Sequence, residues 1–186
     1  MQCPKCHTEI SDREPQCGNC GFDALEMDKM LSSCPVPQGL VNDFAGLLKE
    51  DEMQKLKTLL TNYKRQSDHD VVVVTIKTAR PLTPAQYVFW LYNEWGVGGK
   101  QHRGVMILLA FDERRVETEV GFGLEGIITD KRSGEILDQA VVGPLKEGRH
   151  GDGLYAGAKA LIEALEKTRE ARNPGQPGIL ALKSIP

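Results

Sequence analysis

Two groups of residues in this 186-residue sequence have the types and spacing for chemistry. The first is Cys3, Cys6, Cys17 and Cys20, arranged as Cys-x2-Cys-x10-Cys-x2-Cys. Two such knuckles deliver four thiolates to one tetrahedral ion, and the ion that such sites take is zinc. The surrounding segment has almost no large apolar side chains, so metal binding would supply its folding free energy. Two disulfides or a thiol redox pair are the competing reading, and a cytosolic chain rarely keeps structural disulfides. The fifth cysteine, Cys34, has no base or cation among its sequence neighbours to lower its pKa, and reads as inert.

The second group is acidic. Gly121-Phe122-Gly123-Leu124-Glu125-Gly126-Ile127-Ile128-Thr129-Asp130 puts two carboxylates in a glycine-rich turn. Its glycines permit positive φ and a close approach of backbone to a small ligand. The spacing also fits the Gly-x-Gly-x-x-Gly of dinucleotide sites. Such a turn opens directly into a helix that faces the pyrophosphate, whereas Ile127 follows here and Glu125 would repel phosphate. A carboxylate-lined loop is the better reading. A second loop, residues 95–104, reads as flexible and basic through Lys100, His102 and Arg103. It is not a phosphate-binding P-loop, because Glu94 stands where the first glycine belongs and Gln101 replaces the metal-binding hydroxyl.

The elements that must position these loops follow from periodicity. Segment 41–48 leads into a helix over 50–66, with Met53, Leu56, Leu59, Leu60 and Tyr63 at helical spacing. Residues 71–76 are too uniformly apolar for a half-exposed strand and predict a central one. Thr83-Pro84-Ala85-Gln86 has the form of a capping box, which predicts a helix over 84–94. Residues 105–111 form a second core strand, reached by a parallel crossover. After a tight turn at 112–115, the alternation over 116–121 predicts an antiparallel edge strand that runs into the acidic turn. Two helices close the chain, one over 133–142 stopped at Pro144 and one over 152–170 capped by Asp152.

Composition bounds the rest. The apolar content suffices for one domain, read as residues 40–172, with an appendage at 1–23, a linker at 24–39 and a mobile Pro/Gly-rich tail at 173–186. A formal net charge of −3 gives no general attraction for nucleic acid or for an anionic membrane. The apolar run 105–111 is far too short to span a bilayer, and no apolar signal segment opens the sequence. The expectation is a soluble, cytoplasmic chain with no membrane insertion.

Asn42-Asp43 with Ala45-Gly46, Trp95-Gly96-x-Gly98, the strand over 104–110, and Gly121-x-Gly123-Leu124-Glu125-Gly126 followed by Thr129-Asp130 together resemble the TPM domain, over about residues 40–168. The cysteine segment resembles a short zinc ribbon, with Gly21 after Cys20 as usual and His7 where glycine is common. The TPM resemblance implies a three-layer α/β/α sandwich around a small mixed sheet. It also implies acid-phosphatase-like hydrolysis of a small phosphoester and a divalent cation, Ca²⁺ or Mg²⁺, held by acidic residues. By matched motifs the catalytic and cation-binding residues would be Asp43, Glu125 and Asp130. Lys100 and Arg103 would neutralise the phosphate beside Gly121 and Gly123. The alternative is a non-catalytic module whose acidic cleft binds Ca²⁺ or a peptide and whose ribbon docks a protein partner. Plainer roles compete throughout: Asp43 and Asp130 as helix caps, Lys100 and Arg103 as solvated loop residues, Trp90 and Trp95 as anchors. His69, His102 and His150 are expected at the surface, with only His102 placed for general-acid work.

Overall fold

Side chains alternate across a strand, so a strand that is apolar at every position must be covered on both faces. Val71, Val73, Val105 and Ile107 point to one side of the sheet, Val72, Val74, Met106 and Leu108 to the other, and all are buried. The structure, a computed structural model, describes Cys3, Cys6, Thr8, Glu9 and residues 16–23, 34–67 and 69–172, with side chains through 168. The linker residues 24–33, the tail 173–186 and His7 lie outside the described residues.

The sheet has four strands in the order β1 (Val41–Asp43), β2 (Asp70–Ile76), β3 (Gly104–Ala110) and β4 (Arg115–Val120). The first three are parallel and β4 is antiparallel to β3. Helices α1 (Glu50–Ser67), α3 (Asp130–Lys146) and α4 (His150–Arg172) cover one face, with Leu56, Leu137 and Leu161 among the buried contacts. Helix α2 (Pro84–Glu94) covers the other through Val88, Leu91 and Tyr92. This is the expected three-layer α/β/α sandwich.

The start of α2 is set by its capping box. Gln86 N–H donates to Thr83 Oγ1 at 3.3 Å, and Thr83 N–H donates to Gln86 Oε1 at 3.0 Å. A cap of this kind is worth about 1 kcal/mol. At the other end of α2, Trp95 Nε1 donates to the Pro35 carbonyl at 2.8 Å, which ties segment 34–40 against the helix. Cys34 packs there too, and burial raises its thiol pKa.

Four local expectations change. Segment 41–48 first makes a strand, β1, whose register sets Val41 opposite Val73. Three residues are too few to show alternation, and the buried Asn42 is satisfied locally, accepting from Gln38 N–H at 2.6 Å and donating to the Gly39 carbonyl at 2.9 Å. Helix α3 starts at Asp130, not 133, because Thr129 Oγ1 accepts Arg132 N–H at 3.2 Å, and it runs past Pro144. Proline there forfeits one N–H bond, while Leu145 beyond it still packs on the core. Helix α4 starts at His150, so Asp152 sits inside the first turn, paired with Arg149 at 3.1 Å. His69 is buried rather than at the surface, with Nδ1 3.1 Å from Tyr63 Oη. Among the described residues no helix is long and apolar enough to cross a membrane.

Candidate functional site

Chain direction brings two loops to one end of the sheet. The loop after α2 must arrive at the amino end of β3, and β4, running antiparallel, delivers its following turn to the same end. There the two loops bond backbone to backbone: Gly121 N–H donates to the Gly104 carbonyl at 2.8 Å and Gly123 N–H to the His102 carbonyl at 3.1 Å. A Cβ on Gly121 would overlap Tyr92 Oη and the His102 carbonyl, and one on Gly123 would overlap the Gln101 carbonyl. The expected positive φ is not the reason for these glycines. Gly121 has φ −66°, and none of Gly121, Gly123 and Gly126 is left-handed. They are glycines because backbone fills the place of a side chain.

The basic loop is held as well as packed. Gly98 turns at φ +80°, and its N–H donates to Asp70 Oδ2 at 3.2 Å. The other oxygen of Asp70 pairs with Lys64 at 2.7 Å. A 3-10 turn over Gly99–Gln101 follows, closed by His102 N–H on the Gly99 carbonyl at 3.0 Å. The expected flexible loop is therefore a bonded one. Lys64, Asp70, Gly98, Lys100 and Arg103 line a cavity of about 260 Å³. Lys100 and Arg103 make no ion pair among the described residues, so the cavity carries free positive charge at its wall.

Carboxylates stand on the other side of this contact. The Asp130 side chain accepts Val120 N–H at 3.2 Å, which pins the start of α3 to the end of β4. Glu119, on β4, is half-buried, and its carboxyl pKa is pushed up to about 7 by burial first, then by the charges of Asp130 and Glu125. Tyr92 is buried nearby, its phenol pushed up to about 12 by burial and by the carboxylates of Glu119 and Asp70. Glu119, Lys64 and Asp70 were not singled out from the sequence. Period-two alternation along β4 reads Glu119 as an outward residue, and only the covering helix α2 makes it half-buried.

Asp43 is not part of this group. It lies level with Thr75 on β2, Leu109 on β3 and hence Val116 on β4, four residues and three strands from Val120. That separates it from Asp130 by about 14 Å across the sheet and about 13 Å along it. Its oxygens are engaged where it stands: Oδ1 accepts Leu47 N–H at 3.0 Å and the Thr75 hydroxyl, and Oδ2 accepts Leu48 N–H at 2.9 Å. Asp43 thus holds the turn ahead of α1, and the three-carboxylate shell of Asp43, Glu125 and Asp130 is not assembled. His102 is exposed at the outer end of the basic loop, and its carbonyl, rather than its ring, makes the contact to Gly123.

A separate cluster has converging ligand atoms. Among the described residues, Cys3, Cys6, Cys17 and Cys20 are the only group of three or more His, Cys, Asp or Glu side chains whose ligating atoms all lie within 4.8 Å of one another. Sγ of Cys3 lies 3.6 Å from that of Cys20, and Cys6 3.6 Å from Cys17. A tetrahedron of metal–sulfur bonds of about 2.3 Å has edges of about 3.8 Å, so the set fits one metal ion. Hydrogen bonding with Thr8 and then Asn19 lowers the Cys6 thiol to about 5, whereas Cys20, despite a backbone hydrogen bond at Phe22, is raised to about 12 by burial and by the three neighbouring thiols, so the shifts divide across the cluster and its geometry is what marks it as a metal site. Gly21 turns at φ +71° behind Cys20, and Phe22 packs on the buried Cys3 and Cys17.

An α/β/α sandwich with a mixed sheet and a glycine-wedged pair of loops at one end defines the class. The model of the TPM domain matches residues 41–164, and the chain belongs to that family. Among solved structures, the N-terminal domain of a P. gingivalis protein is 28% identical with a TM-score of 0.65, covering 70% of this chain and 84% of that one. The N-terminal domain of cg2496 from Corynebacterium glutamicum is 16% identical with a TM-score of 0.56, covering 69% and 81%. BA42 from the psychrophilic bacterium Bizionia argentinensis is 17% identical with a TM-score of 0.57, covering 65% and 83%. The last two share the fold. No curated protein matches the sequence significantly.

The carboxylate group makes a prediction about pH. A folded-state value near 7, against an ordinary 4.5, means that the folded chain keeps a proton the unfolded chain gives up. The stability contribution of neutral Glu119 is full below pH 4.5 and is lost as pH rises through about 7. Carbon-detected NMR of the glutamate carboxyls should show one group titrating near 7, moved toward 4.5 by Asp130→Asn or Glu125→Gln. A Glu119 carboxyl that titrates with the exposed glutamates would contradict the cluster.

Proposed function

We propose that the paired loops form a phosphoester site in which a hydrated divalent cation works beside a basic pocket. The observation that carries this is the direct packing of the Lys100–Arg103 loop on the Gly121–Glu125 turn, which sets unpaired cations and the Glu119, Glu125 and Asp130 carboxyls on two sides of one contact. The residues fit a hard cation of a particular kind. Glu125 and Asp130 offer oxygen only, and without a converging shell they suit Mg²⁺ or Ca²⁺ that keeps water and takes the rest of its ligands from substrate phosphate.

When bound, such a cation polarises a phosphoryl oxygen and makes water a better nucleophile. The chain's own residues do the remainder. Lys100 and Arg103 neutralise and orient the phosphate, with Lys64 and Asp70 holding that wall in place. Glu119 changes protonation near neutral pH, which suits a group that exchanges a proton with the leaving oxygen. The tight loop contact keeps these groups in one geometry, and positioning is most of what phosphoryl transfer asks of a protein.

Turnover of an aryl phosphate should appear with Mg²⁺, Mn²⁺ or Ca²⁺. It should fall about 100-fold in Glu125→Ala, while Lys100→Ala and Arg103→Ala act mainly on KM. Cation and phosphate binding without turnover would favour the non-catalytic module, and turnover unchanged in Glu125→Ala would remove the site.

The cysteine cluster is proposed as a structural zinc ribbon that docks a protein partner. Its softness and closed, four-thiolate shell leave no open position for catalysis. Purified protein should carry one zinc per chain, and chelation should release four thiols while the circular dichroism of the α/β/α domain persists. Substoichiometric metal with four reactive thiols would overturn this assignment.

A further inference from the structure

The basic pocket sets the charge of what it holds. Lys64, Lys100 and Arg103 line it against Asp70 alone, and Glu119, Glu125 and Asp130 lie outside that lining. Asp70 is taken by Lys64 at 2.7 Å and by Gly98 N–H at 3.2 Å, which leaves Lys100 and Arg103 as the charges a ligand meets. The sign is therefore that of an anion. A cavity of about 260 Å³ is smaller than the roughly 300–1,000 Å³ that encloses a whole organic ligand, so it takes the phosphate and leaves the rest of the molecule outside.

Phe122 is what that remainder meets. The acidic turn rests on the pocket wall, since a Cβ on Gly123 would overlap the Gln101 carbonyl and meet Arg103 Cγ at 3.0 Å, and both residues line the pocket. Phe122 precedes Gly123, one Cα step of about 3.8 Å away. Its ring is 81% exposed, the most exposed large apolar side chain among the described residues. The fold makes no use of this ring. Leu124 and Ile128, both buried, anchor the turn, and the backbone bonds of Gly121 and Gly123 hold it on either side of Phe122. A polar residue would serve such a turn as well and would leave no phenyl ring in water. The same bonds make the ring a fixed platform, which lowers the ordering cost of binding to it. Phe122 is itself outside the pocket lining. A ring bonded directly to the ester oxygen stays at the pocket mouth, whereas a ring carried on a sugar reaches past it.

We propose that these loops bind nucleoside monophosphates, with the phosphate on Lys100 and Arg103 and the base stacked on the Phe122 ring. This rests on the phosphoester reading of the same loops and adds the substrate class to it. One open aromatic face stacks any base, so the site selects for a base rather than for a particular one.

The test is calorimetric titration of the full chain, in Mg²⁺, with adenosine monophosphate, ribose phosphate and phenyl phosphate. Adenosine monophosphate should bind about tenfold more tightly than ribose phosphate, with phenyl phosphate close to ribose phosphate. Phe122→Ala should remove that tenfold and leave ribose phosphate unchanged, while Phe122→Trp keeps it. A dispersed NMR spectrum checks the folding of each variant. The Phe122 ring protons should move upfield with adenosine monophosphate and stay in place with ribose phosphate. Equal affinity for ribose phosphate, or adenosine monophosphate binding unchanged in Phe122→Ala, would overturn base stacking and leave the phosphoester site standing. Failure of all three ligands to bind would overturn both. Phenyl phosphate binding as tightly as the nucleotide through Phe122 would overturn the nucleotide assignment in favour of an aryl ester. So would a concentration-dependent dimer that disappears in Phe122→Ala, because a second copy would then cover the ring.

Discussion

The contact on which the site depends is one of backbone against backbone, at Gly121 and Gly123 over Gln101 and His102. A Cβ at either glycine would overlap the facing carbonyls, and at Gly121 the Tyr92 hydroxyl as well, so no larger residue fits there. The two hydrogen bonds fix their spacing, and the absence of Cβ atoms lets them form. Lys100 and Arg103 share one edge of the sheet with the carboxylates because the loops that carry them touch there. Charges of opposite sign that must act on one ligand need fixed positions more than they need proximity in sequence.

The sheet explains why this contact forms at the amino ends of the parallel strands. β2 and β3 are buried on both faces, which locks their register and leaves only their ends open. A helix returning to β3 must deliver its loop at the amino end. The reversal at β4 then brings a second loop to the same edge. Asp43, at the carboxyl end of β1, is left on the far side by the same topology, where its carboxylate serves backbone N–H groups.

Long periodic elements were legible in the sequence, and the reason is local. The run at 71–76, the strand at 104–110, the Thr83–Gln86 cap and the cysteine spacing each state their structure within a few residues. What could not be read depends on distant chain. β1 is three residues long and exists because β2 offers an edge. Pro144 stops a helix in isolation, yet here burial of Leu145 continues it. The glycines of the acidic turn were rightly marked as special, but their reason lies in the His102 carbonyl, nearly twenty residues upstream. Glu119 reads as one polar residue of an alternating strand until α2, Asp130 and Glu125 surround it.

The central claim is that the basic pocket and the carboxylates act as one site through the loop contact, which means that cation and phosphate must bind cooperatively. Calorimetric titration of inorganic phosphate, with and without Mg²⁺, measures that coupling directly. The account predicts that Mg²⁺ tightens phosphate binding about tenfold, and that the coupling is lost in a Gly123→Ala chain whose NMR spectrum shows it folded. Equal phosphate affinity with and without Mg²⁺ in the wild-type protein would contradict it.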